Sequence, residues 1–481
     1  MQPPPPHGTP PVPGQPQQPQ SQPYHAAHPG DAQPYATQPP QPPQAPPRRS
    51  KGLTALLIAG AVVVLLAVGT GTAWFVAGMG DTGTSASGGG GSAEWTVPLA
   101  NADTMDFTSG LAYGSWLTDK VVIRVQRDGV LAYDLASGKR AWGIPAPGQQ
   151  VCGATPDLSG GKAAIAYGST HLCDHLAGID TATGKLTWKT KIPAEKSRLA
   201  NSLDVPRIMT TKDIAIVQLN DVMSGYRLSD GRKQWTISLD DGCHLKDTNA
   251  APTQVVALVD CAFTKGTGVA TFDPATGRRV ARFPIGEISL MSTVLSADPI
   301  VVQREESGDK SHFTVFDKSG KTAEFTSGKV DMLAMNTVAF IRGMFEQHRY
   351  AVHGDRLYLA TFPENVKGKL RSGNKALAFD LKTGKQLWES SGTKDTMLTY
   401  VRADDQGLLA LETGDRRDLP PRLVRLNAAT GKAEEIATLP QQYGTEAEHA
   451  RVFERNGVVI IVPWTSVTSK YAVTYVNTKE N

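Results

Sequence analysis

The sequence lacks most of what marks an enzyme. It has no Cys-x-x-Cys pair, no Cys-x-x-Cys-His haem motif, no His-Glu-x-x-His helix, no Walker sequence and no nucleophile elbow. Its four cysteines include no adjacent pair. Charge is nearly balanced, 49 basic against 46 acidic residues for a net +3, with no concentrated basic run, so nucleic acid binding finds no support. The first 47 residues carry a single charge, Asp31, and few aliphatic groups. Only about 50 residues precede the first long apolar stretch, far fewer than a catalytic domain needs.

What those first residues do contain is proline. More than half of the chain's 33 prolines fall before Arg48, among Gln, Ala, Gly, His and Tyr. Such a segment cannot offset the entropy of ordering, so residues 1–50 are expected to be a disordered Pro/Gln-rich tail with polyproline II character. It is either a solvated tail or a ligand for a polyproline-reading domain.

Residues 52–79 contain no charge and are dominated by Ala, Val, Leu, Ile and Gly. That length spans a bilayer as a tilted helix. Arg48, Arg49 and Lys51 precede it and Asp81 follows, which puts the N-terminus in the cytoplasm and the rest of the chain outside. A cleaved signal peptide is the competing reading. It would need a far shorter basic region and apolar core, and a small-x-small site before Asp81. A flexible Gly/Ser linker occupies residues 80–93.

The remaining residues, 94–481, repeat. Asp-x-x-Thr/Ser-Gly-Lys-x-x-Trp reads DLASGKRAW at Asp134–Trp142, DTATGKLTW at Asp180–Trp188 and DLKTGKQLW at Asp380–Trp388. LSDGRKQW at Leu228–Trp235 is a shortened copy, and weaker copies start at Asp273, Asp317 and Asn427. The turn glycines are Gly138, Gly184, Gly231, Gly277, Gly320, Gly384 and Gly431, spaced by 46, 47, 46, 43, 64 and 47 residues. A period in the mid-forties is the length of a four-stranded propeller blade. The glycine permits a left-handed turn, and the tryptophan after it is a flat spacer between blades. Short β-branched runs bounded by turns surround each copy and read as strands.

Seven turns do not close a ring. The chain ends one strand and one turn into an eighth unit, YAVTYVNTKEN, while the missing outer strand stands at the other end as Glu94-Trp95-Thr96-Val97-Pro98. The fold expected is therefore an all-β, eight-bladed β-propeller of four-stranded antiparallel blades, its ring closed by N- and C-terminal strands. Trp95, Trp142, Trp188, Trp235 and Trp388 are the expected blade-packing residues. Cys152 and Cys243 start the first strands of their blades, and Cys173 and Cys261 follow the second strands. An antiparallel pair makes those positions neighbours, so Cys152–Cys173 and Cys243–Cys261 are the expected disulfides. A metal site with His171, His175 and His244 is the alternative use of this region.

The signature resembles the PQQ-like propeller repeat, a family holding quinoprotein dehydrogenases, BamB-type outer-membrane assembly scaffolds and receptor sensor domains. The resemblance covers the whole of residues 94–481 and implies the fold. It leaves function between a binding module and a PQQ-dependent oxidoreductase with calcium. The oxidoreductases of the family commonly rest PQQ on a disulfide between adjacent cysteines, which this chain lacks. The reading is thus a non-catalytic scaffold or sensor without cofactor, in the single-pass topology above.

The step of 64 marks an insertion in one blade, placed at Phe362–Lys375 between two strands. Lys367, Lys369 and Arg371 make this loop basic, and Arg342, His348 and Arg349 precede it. Insertions in repeat folds often form the binding face. The partner expected is a cell-envelope protein, an anionic polymer or a lipid headgroup; the competing reading is a solvated loop.

Overall fold

The chain's computed structural model describes residues 94–99 and 111–479, apart from 170–171, 194–204, 240–241, 262–265, 290–291, 306–309, 329, 331–348, 368–370, 416–418, 448 and 466–468. The Pro-rich tail, the apolar segment and the linker lie outside these residues. Among the described residues no helix is long and apolar enough to cross a membrane.

Eight four-stranded antiparallel sheets follow one another as blades of an all-β propeller. Blade 1 runs from Ala112 to Pro145, blade 2 from Gln150 to Lys191, blade 3 from Arg207 to Ser238 and blade 4 from His244 to Pro284. Blade 5 runs from Thr293 to Gly328, blade 6 from Tyr350 to Ser390 and blade 7 from Leu398 to Thr438. Blade 8 takes three strands from Ala450–Asn477 and its outer strand from Glu94–Pro98, which pairs antiparallel with Tyr471–Asn477. The ring is thus closed by strands from both ends of the repeat region, as expected.

Each signature does its work across a blade boundary. Gly138, Gly184, Gly231, Gly277, Gly384 and Gly431 all have φ between 63° and 71°, the left-handed turn that no Cβ obstructs. In five of these, the ring of the preceding blade's tryptophan lies so close that a Cβ on the glycine would meet it at 2.4–2.7 Å. Trp95 covers Gly138, Trp142 covers Gly184, Trp188 covers Gly231, Trp235 covers Gly277 and Trp388 covers Gly431. The indole also bonds to the covered turn: Trp188 Nε1 donates to Leu228 O at 2.8 Å, and Trp235 and Trp388 donate likewise to Pro274 O and Ala428 O. The turn itself is held by its aspartate. Bonds from the Thr383 hydroxyl and amide hold the Asp380 carboxyl below the usual range.

Gly231→Ala is therefore expected to lower stability by about 2–4 kcal/mol, from positive φ and the clash with Trp188 together. Gly354→Ala, at φ 55° with open space around it, is expected to cost only about 1 kcal/mol. Urea denaturation of the two variants checks the difference; equal losses would remove the inter-blade role.

Three blades lack the tryptophan: blade 7 holds Glu435 at that position, and blades 4 and 5 use a substitute. In blades 4 and 5 the tryptophan position holds Ala281 and Ala323. Phe283 and Phe325, two residues further along each strand and so on the same face, stack instead on Phe316 and Phe379 of the next blade. The turn at Gly320 is one residue shorter than the others and has φ 128°.

Both expected disulfides are present, Cys152–Cys173 and Cys243–Cys261, each within one blade. They close loops of 21 and 18 residues. Replacing Cys243 and Cys261 by serine is expected to cost about 3 kcal/mol, read as a lowered urea midpoint in non-reducing buffer. An unchanged midpoint would contradict it.

Candidate functional site

In an antiparallel blade, the second-to-third-strand loop and the connection to the next blade open on one face, opposite the signature turns. Around blade 6 that face is enlarged twice. The loop between its second and third strands contains an additional two-stranded hairpin, Glu364–Asn365 paired with Ser372–Gly373. This is the insertion expected at Phe362–Lys375. It accounts for only part of the excess length. The rest lies in the connection from blade 5, residues 329–349, where only Val330 and Arg349 are described. The two enlargements meet in a β-bridge between Val330 and Thr361.

Of the basic residues singled out in the sequence, Lys367, Arg371 and Arg349 are among the described residues. Lys367 is exposed. Arg371 turns back, its Nη2 donating to Lys394 O at 2.7 Å in the connection to blade 7. Arg349 is buried at 8% exposure. Arg342, His348 and Lys369 lie outside the described residues.

Beside the hairpin is a cleft of about 450 Å³ that the sequence reading missed. One wall is the end of blade 5's outer strand, Thr326–Gly328. The opposite wall comes from blade 6 and its hairpin, with Glu364, Asn374, Lys375 and Glu389. Asp395, in the connection to blade 7, completes it. Three carboxylates thus face one ammonium. Lys375 bonds to Glu389, which raises its pKa, and the charges of Glu364 and Asp395 raise it further.

The cleft is held rigidly. The Thr393 amide and hydroxyl both bond to Glu412, which is fully buried and paired with Arg422 at 3.2 Å. Gly373 lets the returning hairpin strand lie against Asp395, since a Cβ there would meet Asp395 O at 2.7 Å. Asn374, 2% exposed, accepts a bond from Leu398 N at 2.7 Å through Oδ1, while its Nδ2 has no partner.

The two histidines near the disulfides each have a carboxylate of their own. His175 pairs with Asp174 at 2.7 Å and His244 with Asp221 at 2.9 Å. His171 lies outside the described residues.

With the ring and its faces laid out, comparison with known proteins places the chain. The family model described as outer membrane protein assembly factor BamB matches residues 79–324, just over half of the sequence. The chain belongs to this BamB family. No curated protein matches it. Among solved structures it resembles BamB from Moraxella catarrhalis at 15% identity, covering 76% of this chain and 96% of that one, with a TM-score of 0.44. It also resembles quinohemoprotein alcohol dehydrogenase from Comamonas testosteroni at 12% identity, covering 80% of each chain, with a TM-score of 0.46. BamB-family membership fixes the propeller repeat, and at these distances neither neighbour bears on what this chain binds.

Proposed function

We propose that the protein is a membrane-tethered, extracytoplasmic propeller that binds a cell-envelope protein as a scaffold or sensor, with no catalysis of its own. The observation that carries this reading is the division of labour among the blades. The signature residues are taken up by packing between blades, whereas blade 6 adds, among the described residues, a hairpin and a polar cleft to the loop face. Loops on a rigid scaffold are where binding residues concentrate. The tether rests on the uncharged segment 52–79 and its basic N-terminal flank.

The described residues support a reading without PQQ and calcium. Both disulfides staple strands within a blade, and neither joins adjacent cysteines as a platform for the cofactor. The five signature tryptophans lie on turn glycines at the seams between blades. Asp247, buried among the innermost strands, already bonds to Arg207, to the Thr293 hydroxyl and to Val294 N. Calorimetric titration of the full-length chain with PQQ and calcium tests this side of the reading. No binding heat is expected; affinity in the micromolar range or tighter would overturn it.

A further inference from the structure

The acidic cleft beside blade 6 is more than a group of carboxylates. Its lining carries Glu364, Glu389 and Asp395 against Lys375 alone, an excess of two negative charges. A cation entering it would meet that excess between walls held by Glu412 and Arg371. The second requirement of a ligand is written in Asn374. Its buried Nδ2 lacks an acceptor, and leaving a buried donor unpaired is costly. The side chain cannot rotate to find one without giving up the bond from Leu398 N. A ligand that brings both a cation and a hydrogen-bond acceptor answers both features.

Phe362 decides what carries these groups. It follows Thr361, which lines the cleft, and it is 40% exposed. Aromatic residues are enriched where a polypeptide partner is bound. The geometry points to a binding site for a basic residue within an extended polypeptide: its guanidinium or ammonium among Glu364, Glu389 and Asp395, and its backbone carbonyl toward Asn374. This goes beyond the scaffold reading, since the cleft takes such a ligand whether the protein is a scaffold or a sensor.

The test titrates the full-length chain with three probes: the blocked peptide acetyl-Gly-Arg-Gly-amide, free L-arginine, and agmatine, which keeps the guanidinium and has no carbonyl. The peptide is expected to bind about tenfold more tightly than agmatine, the worth of one hydrogen bond to a buried donor. The double variant Glu364→Gln/Asp395→Asn removes the excess charge at exposed positions and is expected to weaken the peptide at least about tenfold. Glu434→Gln, in the outer strand of blade 7, serves as the control and leaves binding unchanged. Absence of peptide binding up to about 1 mM, the weak end of specific recognition, overturns the site. So does binding that the double variant does not alter. Binding of L-arginine without the peptide overturns the polypeptide ligand, and agmatine binding as well as the peptide overturns the part given to Asn374.

Discussion

Replacing Arg124 by leucine is expected to loosen the ring where blade 8 meets blade 1, at a cost of about 2–5 kcal/mol. Arg124 stands on the second strand of blade 1, fully buried. Its Nη1 donates to two carbonyls of blade 8, Pro463 O and Ala472 O, the latter at 3.3 Å. Burial lowers its pKa to about 10, which still leaves it charged at neutral pH. Leucine keeps part of the volume and leaves both carbonyls buried without that donor, at about 1–3 kcal/mol each. Two further arginines of blade 8 cross nearby: Arg451 reaches Ser115 O and Asp157, and Arg455 reaches Asp119. They are partly or largely exposed, so their individual loss is expected to matter less. The urea midpoint measures the effect, with hydrogen exchange along Tyr471–Asn477 locating it. A midpoint unchanged in Arg124→Leu would contradict the latch.

The second large effect is expected from Trp95→Ala, about 3–5 kcal/mol. Trp95 is 1% exposed, stacks on Tyr475 at 5.0 Å, covers Gly138 and donates through Nε1 to Leu135 O at 3.1 Å. Its strand has only five residues and one paired edge. Losing the indole therefore removes the main hold of blade 8's outer strand on blade 1. Faster hydrogen exchange confined at first to Glu94–Pro98 is the expected signature. Trp388→Ala, in blade 6, is expected to cost a similar amount without loosening that outer strand. Because Trp95 and Arg124 secure the same seam, their losses are expected not to add. Additive losses would mean that the seam is not one cooperative unit.

Blade number and closure were legible because the repeat is a physical device. A tryptophan that must cover the next blade's turn glycine forces a fixed spacing, and Trp95 without a glycine of its own marks the strand that completes blade 8. The disulfides were legible from antiparallel pairing alone. Blades 4 and 5 were harder, since Phe283 and Phe325 replace the tryptophan two positions along. The two-residue period of a strand would have found them where a fixed motif does not. Arg124 left no trace in the sequence, because its partners are backbone carbonyls more than 300 residues away. The cleft was hidden for a related reason. Its walls come from blade 5, blade 6 and the connection to blade 7, and the pairing of Lys375 with Glu389 cannot be read from the string FPENVKGKLRSGNK.

The central claim is that the loop face around blade 6 holds an envelope partner. In-cell cross-linking of the full-length protein, followed by purification and mass spectrometry, tests it most directly when wild type is set beside a variant with Phe362–Lys375 shortened to a tight turn. The expected result is one envelope protein recovered reproducibly with the wild type and lost with the shortened hairpin, while both proteins keep the same urea midpoint. Recovery of the protein alone, or of the same partner at the same yield from both, would contradict it.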